Sequence, residues 1–142
     1  MGTISKNFSF AEFEKSDTAK RLRITNVITT TEVRDAVKAL VKNVLQPLRD
    51  AWGGPLKINS GYRCKALNEA VGGVESSQHR KGQAADVACT DPYALAKLVK
   101  SMRLDFDQCI VYPDFLHISY KKDGEQRGQI LYAKSYKGPK DV

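Results

Sequence analysis

Two histidines are all that the chain contains, His79 and His117, and each stands in a setting suited to a metal ligand. His79 lies in Ser77-Gln78-His79-Arg80-Lys81-Gly82-Gln83-Ala84-Ala85-Asp86, a run that ends on a carboxylate, and His117 lies in Leu116-His117-Ile118-Ser119. A His/Asp/His set offers three protein donors and leaves one position of a tetrahedral ion for water. Hydrolytic zinc sites are built in this way, the open position carrying a water acidified toward neutral pH. The residue types alone therefore predict a zinc hydrolase.

Such donors need elements that converge. Residues 116–120 alternate, which sets Leu116, Ile118 and Tyr120 on an apolar face and His117 with Ser119 on the other. In residues 84–89 the same period places Asp86 with Ala84 and Ala88, opposite Ala85, Val87 and Cys89, and the small neighbours leave room for an ion. Gly82 allows a tight turn between His79 and Asp86. Upstream, residues 56–60 read as a strand and 65–71 as a helix stopped by Gly72-Gly73. Asp91-Pro92 starts a helix with Leu95, Leu98, Val99 and Met102 on one face. Residues 108–112 and 116–120 are expected to pair around a turn at Pro113-Asp114, and 129–133 to add a last strand before a polar tail at 134–142.

The N-terminal part reads as helices. Ser9 and Glu12 form a capping box, Ser16 or Asp17 caps a second short helix, and residues 1–28 are expected to wrap the domain. Another box at Thr29-Thr30-Thr31-Glu32 precedes Val33, Val37, Leu40, Val41, Val44, Leu45 and Leu48, the main core helix. Pro47 lacks a donor and crowds Asn43, so a kink or helix end is expected nearby. The sum is an α+β fold with helices packed on a small, mostly antiparallel sheet.

At 142 residues the chain fits one domain, 1–142, and no apolar run approaches the roughly 20 residues that span a bilayer. The start Met1-Gly2-Thr3-Ile4-Ser5-Lys6 has no apolar signal core, so synthesis in the cytoplasm without a signal peptide is expected. A net charge of +7 favours polyanions such as cell wall, anionic lipid or nucleic acid, but the cations are scattered and no nucleic-acid motif is present. Cys64, Cys89 and Cys109 have no CxxC spacing, which argues for buried free thiols.

The SxHxxGxAxD pattern, met by Ser77, His79, Gly82, Ala84 and Asp86, resembles the zinc D-alanyl-D-alanine peptidases when read with Ser60-Gly61-Tyr62-Arg63 before it and His117-Ile118-Ser119 after it. That family includes D-Ala-D-Ala carboxypeptidases, vancomycin-resistance dipeptidases and phage L-alanyl-D-glutamate endopeptidases, and shares its fold with the hedgehog signalling domain. The motifs cover residues 56–120, and the stretch from Phe8 to Ile24 looks like small phage-type members. The resemblance implies zinc held by His79, Asp86 and His117. It implies an Arg63 that binds substrate and steadies the developing oxyanion, a role suited to a guanidinium's fork of donors. Asp114, three positions before His117, takes the place of an acidic general base found in several members, while many small phage-type relatives carry a glutamate farther upstream, where this chain has Tyr112. Ser77 and Ser119 are expected to orient ligands or substrate.

The implied function is a zinc peptidase that cuts a peptidoglycan stem or crosslink bond, a monomer acting on the cell wall or periplasm after release, as in phage or prophage lysis. One rival is a zinc-containing cell-wall binding domain of the same fold without turnover. A second is a cysteine hydrolase pairing Cys64 with His79, and a third is a nucleic-acid binder.

Overall fold

A computed structural model describes residues 2–142, and Met1, the first residue of the expected N-terminal wrap, lies outside them. Its framework is one helical rod packed against one sheet. The rod starts at α3 (Thr31–Leu40), continues through a π-helical turn at Val41–Leu45 and ends as α4 (Gln46–Trp52). Val37, Leu40, Val41, Val44, Leu45 and Leu48 are all fully buried, as their spacing predicts. The cap is Thr30, whose hydroxyl accepts from the Val33 amide at 3.2 Å, one residue later than the Thr29–Glu32 box.

The break expected near Pro47 takes the form of the π turn, which ends α3 at Leu40 and separates it from α4. In a regular helix the Asn43 carbonyl would meet the proline ring and lose its donor. Here the Gln46 amide donates to the Val41 carbonyl five residues back, and this wide turn absorbs the misfit just before the proline enters the first turn of α4. Gly53, at φ 75°, closes the rod in the left-handed region.

The main sheet is formed by β3 (Lys57–Ser60), β4 (Ala84–Ala88), β5 (Gln108–Val111), β6 (Phe115–Ser119) and β7 (Gln129–Tyr132), in the order β3-β4-β6-β5-β7. Three of the four pairings are antiparallel, and β7 lies parallel to β5. Leu116, Ile118, Ala85 and Val87 bury one face against the rod and α6 (Pro92–Ser101), whose Leu95 and Val99 enter the same core. The opposite face of β4 and β6 carries Asp86 and His117.

The ends of the chain differ from expectation. Before α1 (Phe10–Glu14) and α2 (Asp17–Leu22), residues expected only to wrap the domain form a small hairpin of β1 (Thr3–Ser5) and β2 (Phe8–Ser9). Two-residue strands are too short to show alternation, but Gln46 beside the π turn holds this hairpin, donating to Asn7 at 2.9 Å. Ser9 and Glu12 do form the capping box and Ser16 caps α2. The expected polar tail instead docks. Tyr136 is buried and stacks on Tyr132 at 5.8 Å between centroids, the Val142 amide donates to the Tyr132 hydroxyl, and the Tyr93 hydroxyl donates to Asp141. No helix of the described residues is long and apolar enough to cross a membrane.

Candidate metal centre

Asp86 and His117 face each other across adjacent antiparallel strands, β4 and β6, as Cα partners. Directly opposed side chains project to the same face, so the sheet register sets their separation. His117 Nδ1 lies 2.9 Å from Asp86 Oδ1. The third group, His79, comes from a single 3₁₀ turn at Gln78–Lys81, where Ser77 accepts from the His79 amide at 3.2 Å and Gly82 ends the turn at φ 73°. A side chain at Gly82 would also sit 2.7 Å from the Val33 carbonyl, so glycine lets the turn rest on α3.

His79 Nε2 reaches 3.3 Å from the same Asp86 Oδ1, and one ligand atom from each of His79, Asp86 and His117 lies within 4.8 Å of the other two. His79 Nδ1 lies 2.7 Å from the Gly61 carbonyl. A carbonyl only accepts, so Nδ1 carries the proton, and a neutral ring then turns the Nε2 lone pair toward Asp86. Two acceptors meet there unless a cation or a second imidazole proton lies between them. Burial pushes the Asp86 carboxyl up, but hydrogen bonding to His117 and His79 outweighs it and holds the group well below the usual carboxylate range. Two imidazole nitrogens and an ionised carboxylate suit zinc in donor type and number, and leave one position open.

The Gly61 carbonyl belongs to the segment that carries Arg63. A side chain at Gly61 would come within 2.6 Å of Phe13, so glycine allows this segment to lie against α1. Asn26, itself buried, fastens it further: its Nδ2 donates to the carbonyls of Glu14 and Tyr62, and its Oδ1 accepts from the Cys64 amide at 2.8 Å. The Arg63 amide donates to the His79 carbonyl at 3.1 Å. Its guanidinium donates to Ser60 Oγ and, at 3.0 Å, to Asn68 Oδ1 of α5 (Lys65–Ala70). Burial lowers the Arg63 pKa, and nearby Asp86 and Tyr112 partly offset that. The N-terminal wrap and the arginine segment thus form one support for the His79 turn.

The remaining expected site residues fall elsewhere. Ser77 caps the His79 turn, so its hydroxyl acts on a ligand's backbone. Ser119 is 0 % exposed, and its hydroxyl accepts from the Gln108 amide at 3.0 Å. That is a correction: Ser119 stitches β6 to β5 and has no surface to offer a substrate. Asp114 is exposed in the turn between β5 and β6, and Tyr112, the residue just after β5, stacks on Phe115 at 4.2 Å. Of the three free cysteines only Cys109 is fully buried, which corrects the expectation of uniformly buried thiols. The Cys64–His79 pairing is not formed, because the His79 nitrogens face Gly61 and Asp86.

A Peptidase M15 family model matches residues 6–119. The chain belongs to that family. No curated protein matches it. As an M15 peptidase it is a metallopeptidase of a zinc-dependent family, and the α+β fold agrees with the family. The match starts after β1 and stops at the end of β6, so it contains all three members of the His-Asp-His group.

One group of this M15 peptidase carried no motif that pointed to it. Asp107 is fully buried and accepts from Arg127 through the backbone amide, Nε and Nη2 at 2.9, 3.0 and 2.6 Å. These bonds hold its carboxyl down from 3.8 to about 2, against the opposing effect of burial. A carboxylate with a depressed folded pKa stabilises the fold above its ordinary pKa, and that contribution is lost as pH falls through the folded value. Asp107→Asn is therefore expected to cost roughly 3 kcal/mol near pH 6. The gap from wild type in urea midpoints should close as pH falls from about 4 toward 2. A gap that stays constant down to pH 2 would show that Asp107 is not ionised in the fold.

Proposed function

We propose that this M15 peptidase is a zinc-dependent enzyme that hydrolyses a peptide bond of the peptidoglycan stem or crosslink. The observation that carries the reading is the convergence of His79, Asp86 and His117 donor atoms within 4.8 Å beside Arg63. Zinc bound by these three residues supplies a Lewis acid for the scissile carbonyl and lowers the pKa of water toward neutrality. Gly61 keeps His79 in the tautomer that presents Nε2, and Asp86 brings the negative charge that the two imidazoles lack. Arg63, pinned by Ser60 and Asn68, places donors where negative charge grows on the carbonyl oxygen or where a stem-peptide carboxylate docks. Asp114 takes the proton of the attacking water and passes it to the leaving amine.

The proposed setting is the cell wall or periplasm, reached after release during phage or prophage lysis, with the protein acting as a monomer. Its +7 charge suits an anionic wall. The finer choice lies between a D-Ala-D-Ala carboxypeptidase and an L-Ala-D-Glu endopeptidase. Incubation with purified muropeptides, with and without a chelator, separates these by product mass. Release of free D-alanine identifies the first, and release of a stem peptide beginning at D-glutamate, with L-alanine left on the muramyl group, identifies the second. Zinc-loaded protein that binds muropeptides and never cleaves them would replace the enzyme by a binding domain.

Arg63→Lys keeps the charge and removes the fork of donors. It is expected to lower kcat/KM on muropeptides by roughly 100-fold, with zinc content unchanged. Wild-type efficiency in this variant would remove Arg63 from the reaction.

A further inference from the structure

Asp107 bonds to more than Arg127. Its Oδ2 also accepts from Gln78 Nε2 at 3.1 Å, and Gln78 is the residue directly before His79. Gln78 is held on further sides: Nε2 lies 3.2 Å from Gln83 Oε1, and its carbonyl accepts from the Gln83 amide at 2.9 Å and from Gly82. Gln83 in turn accepts through its carbonyl from the Tyr120 amide at 2.9 Å. The turn that carries His79 is thus closed from behind by the carboxylate of Asp107, the residue just before β5. That carboxylate is closed in turn by Arg127, on the segment leading into β7.

We infer that Gln78, Asp107 and Arg127 form a positioning relay that sets the affinity of the His79–Asp86–His117 centre for its metal. Asp86 and His117 are placed by a strand register, which needs no side-chain help. His79 sits on one 3₁₀ turn, and its orientation rests on the Gly61 carbonyl in front and on the Gln78–Asp107 bond behind. Arg127 lies beyond residue 119, where the family match ends, so the relay makes a segment outside that match part of the centre. The three are positioning residues, since none touches the metal donors directly. The inference rests on the zinc reading for its consequence, but the placement of His79 can be read without metal.

The test uses the full chain with Gln78→Ala and Arg127→Ala, and with Arg127→Lys as the conservative partner. Gln78→Ala leaves the Asp107–Arg127 bonds in place and is expected to keep the far-UV spectrum and a thermal midpoint close to wild type. Zinc affinity, measured by competition with a chromophoric chelator, should fall by roughly 10- to 100-fold, the usual scale for groups that orient a ligand. Arg127→Ala should weaken binding similarly, and Arg127→Lys should recover part of the loss. In metal-free protein, the imidazole proton on His79 Nδ1 should exchange with water faster in Gln78→Ala than in wild type, read by NMR. Folded variants with wild-type zinc affinity and an unchanged His79 proton would overturn the relay. If wild type itself binds no zinc, the zinc reading fails, and the His79 proton alone decides whether the relay positions the ring: unchanged exchange overturns it, and faster exchange upholds it.

Discussion

Asp86→Ala is expected to leave a folded protein that retains little zinc and hydrolyses muropeptides at background rate. Asp86 Oδ1 is the one atom that His79 and His117 approach together, at 3.3 and 2.9 Å. Removing it deletes the only negative charge among the three donors and leaves two neutral nitrogens, too few to hold zinc firmly. The fold should survive, because the site lies on the sheet face opposite the core and an alanine extends the Ala84, Ala85 and Ala88 run of β4. Elemental analysis of gently purified wild type should give about one zinc per chain, a value expected from one three-donor site, and the variant near none. His79→Ala and His117→Ala should behave alike. Unchanged metal content in all three would remove the site assignment.

Asp114→Asn is expected to separate an enzyme from a binding domain. The side chain is exposed in the β5–β6 turn, so the substitution keeps size and turn preference and should leave zinc content and thermal stability near wild type. Hydrolysis should fall by roughly 100-fold or more, the usual scale for a lost general base. Retained turnover with zinc bound would pass the proton to another group. Glu75 is then the next acidic residue to replace; it lines a cavity of about 280 Å³ with Asn68, the partner of Arg63, and Arg80.

How much of this was legible in the sequence follows from the range of the forces involved. Alternation in 84–88 and 115–119 is a local property, and it correctly put Asp86 and His117 on the face away from the core. The α3 periodicity and the Ser9–Glu12 box were equally local. Pro47 marked a break in the α-helix but not its form, because a π turn is a backbone accommodation with no pattern of its own. Ser119 misled because alternation tells the face of a residue but not what covers it, and here the β5 backbone covers it. Gly61 and Asn26 act through a carbonyl and an amide that bind across 18 and 36 positions of the chain, which no spacing rule reaches. Asp107 and Arg127 look like solvated charges until the fold closes over one of them.

The two kinds of support beneath the donors also imply two rates. Asp86 and His117 belong to the inner strands of the sheet, β4 and β6, whose backbone bonds open only when much of the domain does. His79 rides on a four-residue turn that can lift without disturbing the ladder. A cation held here would leave and enter on the His79 side, by local opening, long before the chain unfolds. Exchange of metal with the surroundings and survival of the fold are therefore governed by separate barriers, and a change confined to the turn, such as Gln78→Ala, speeds the first and leaves the second intact.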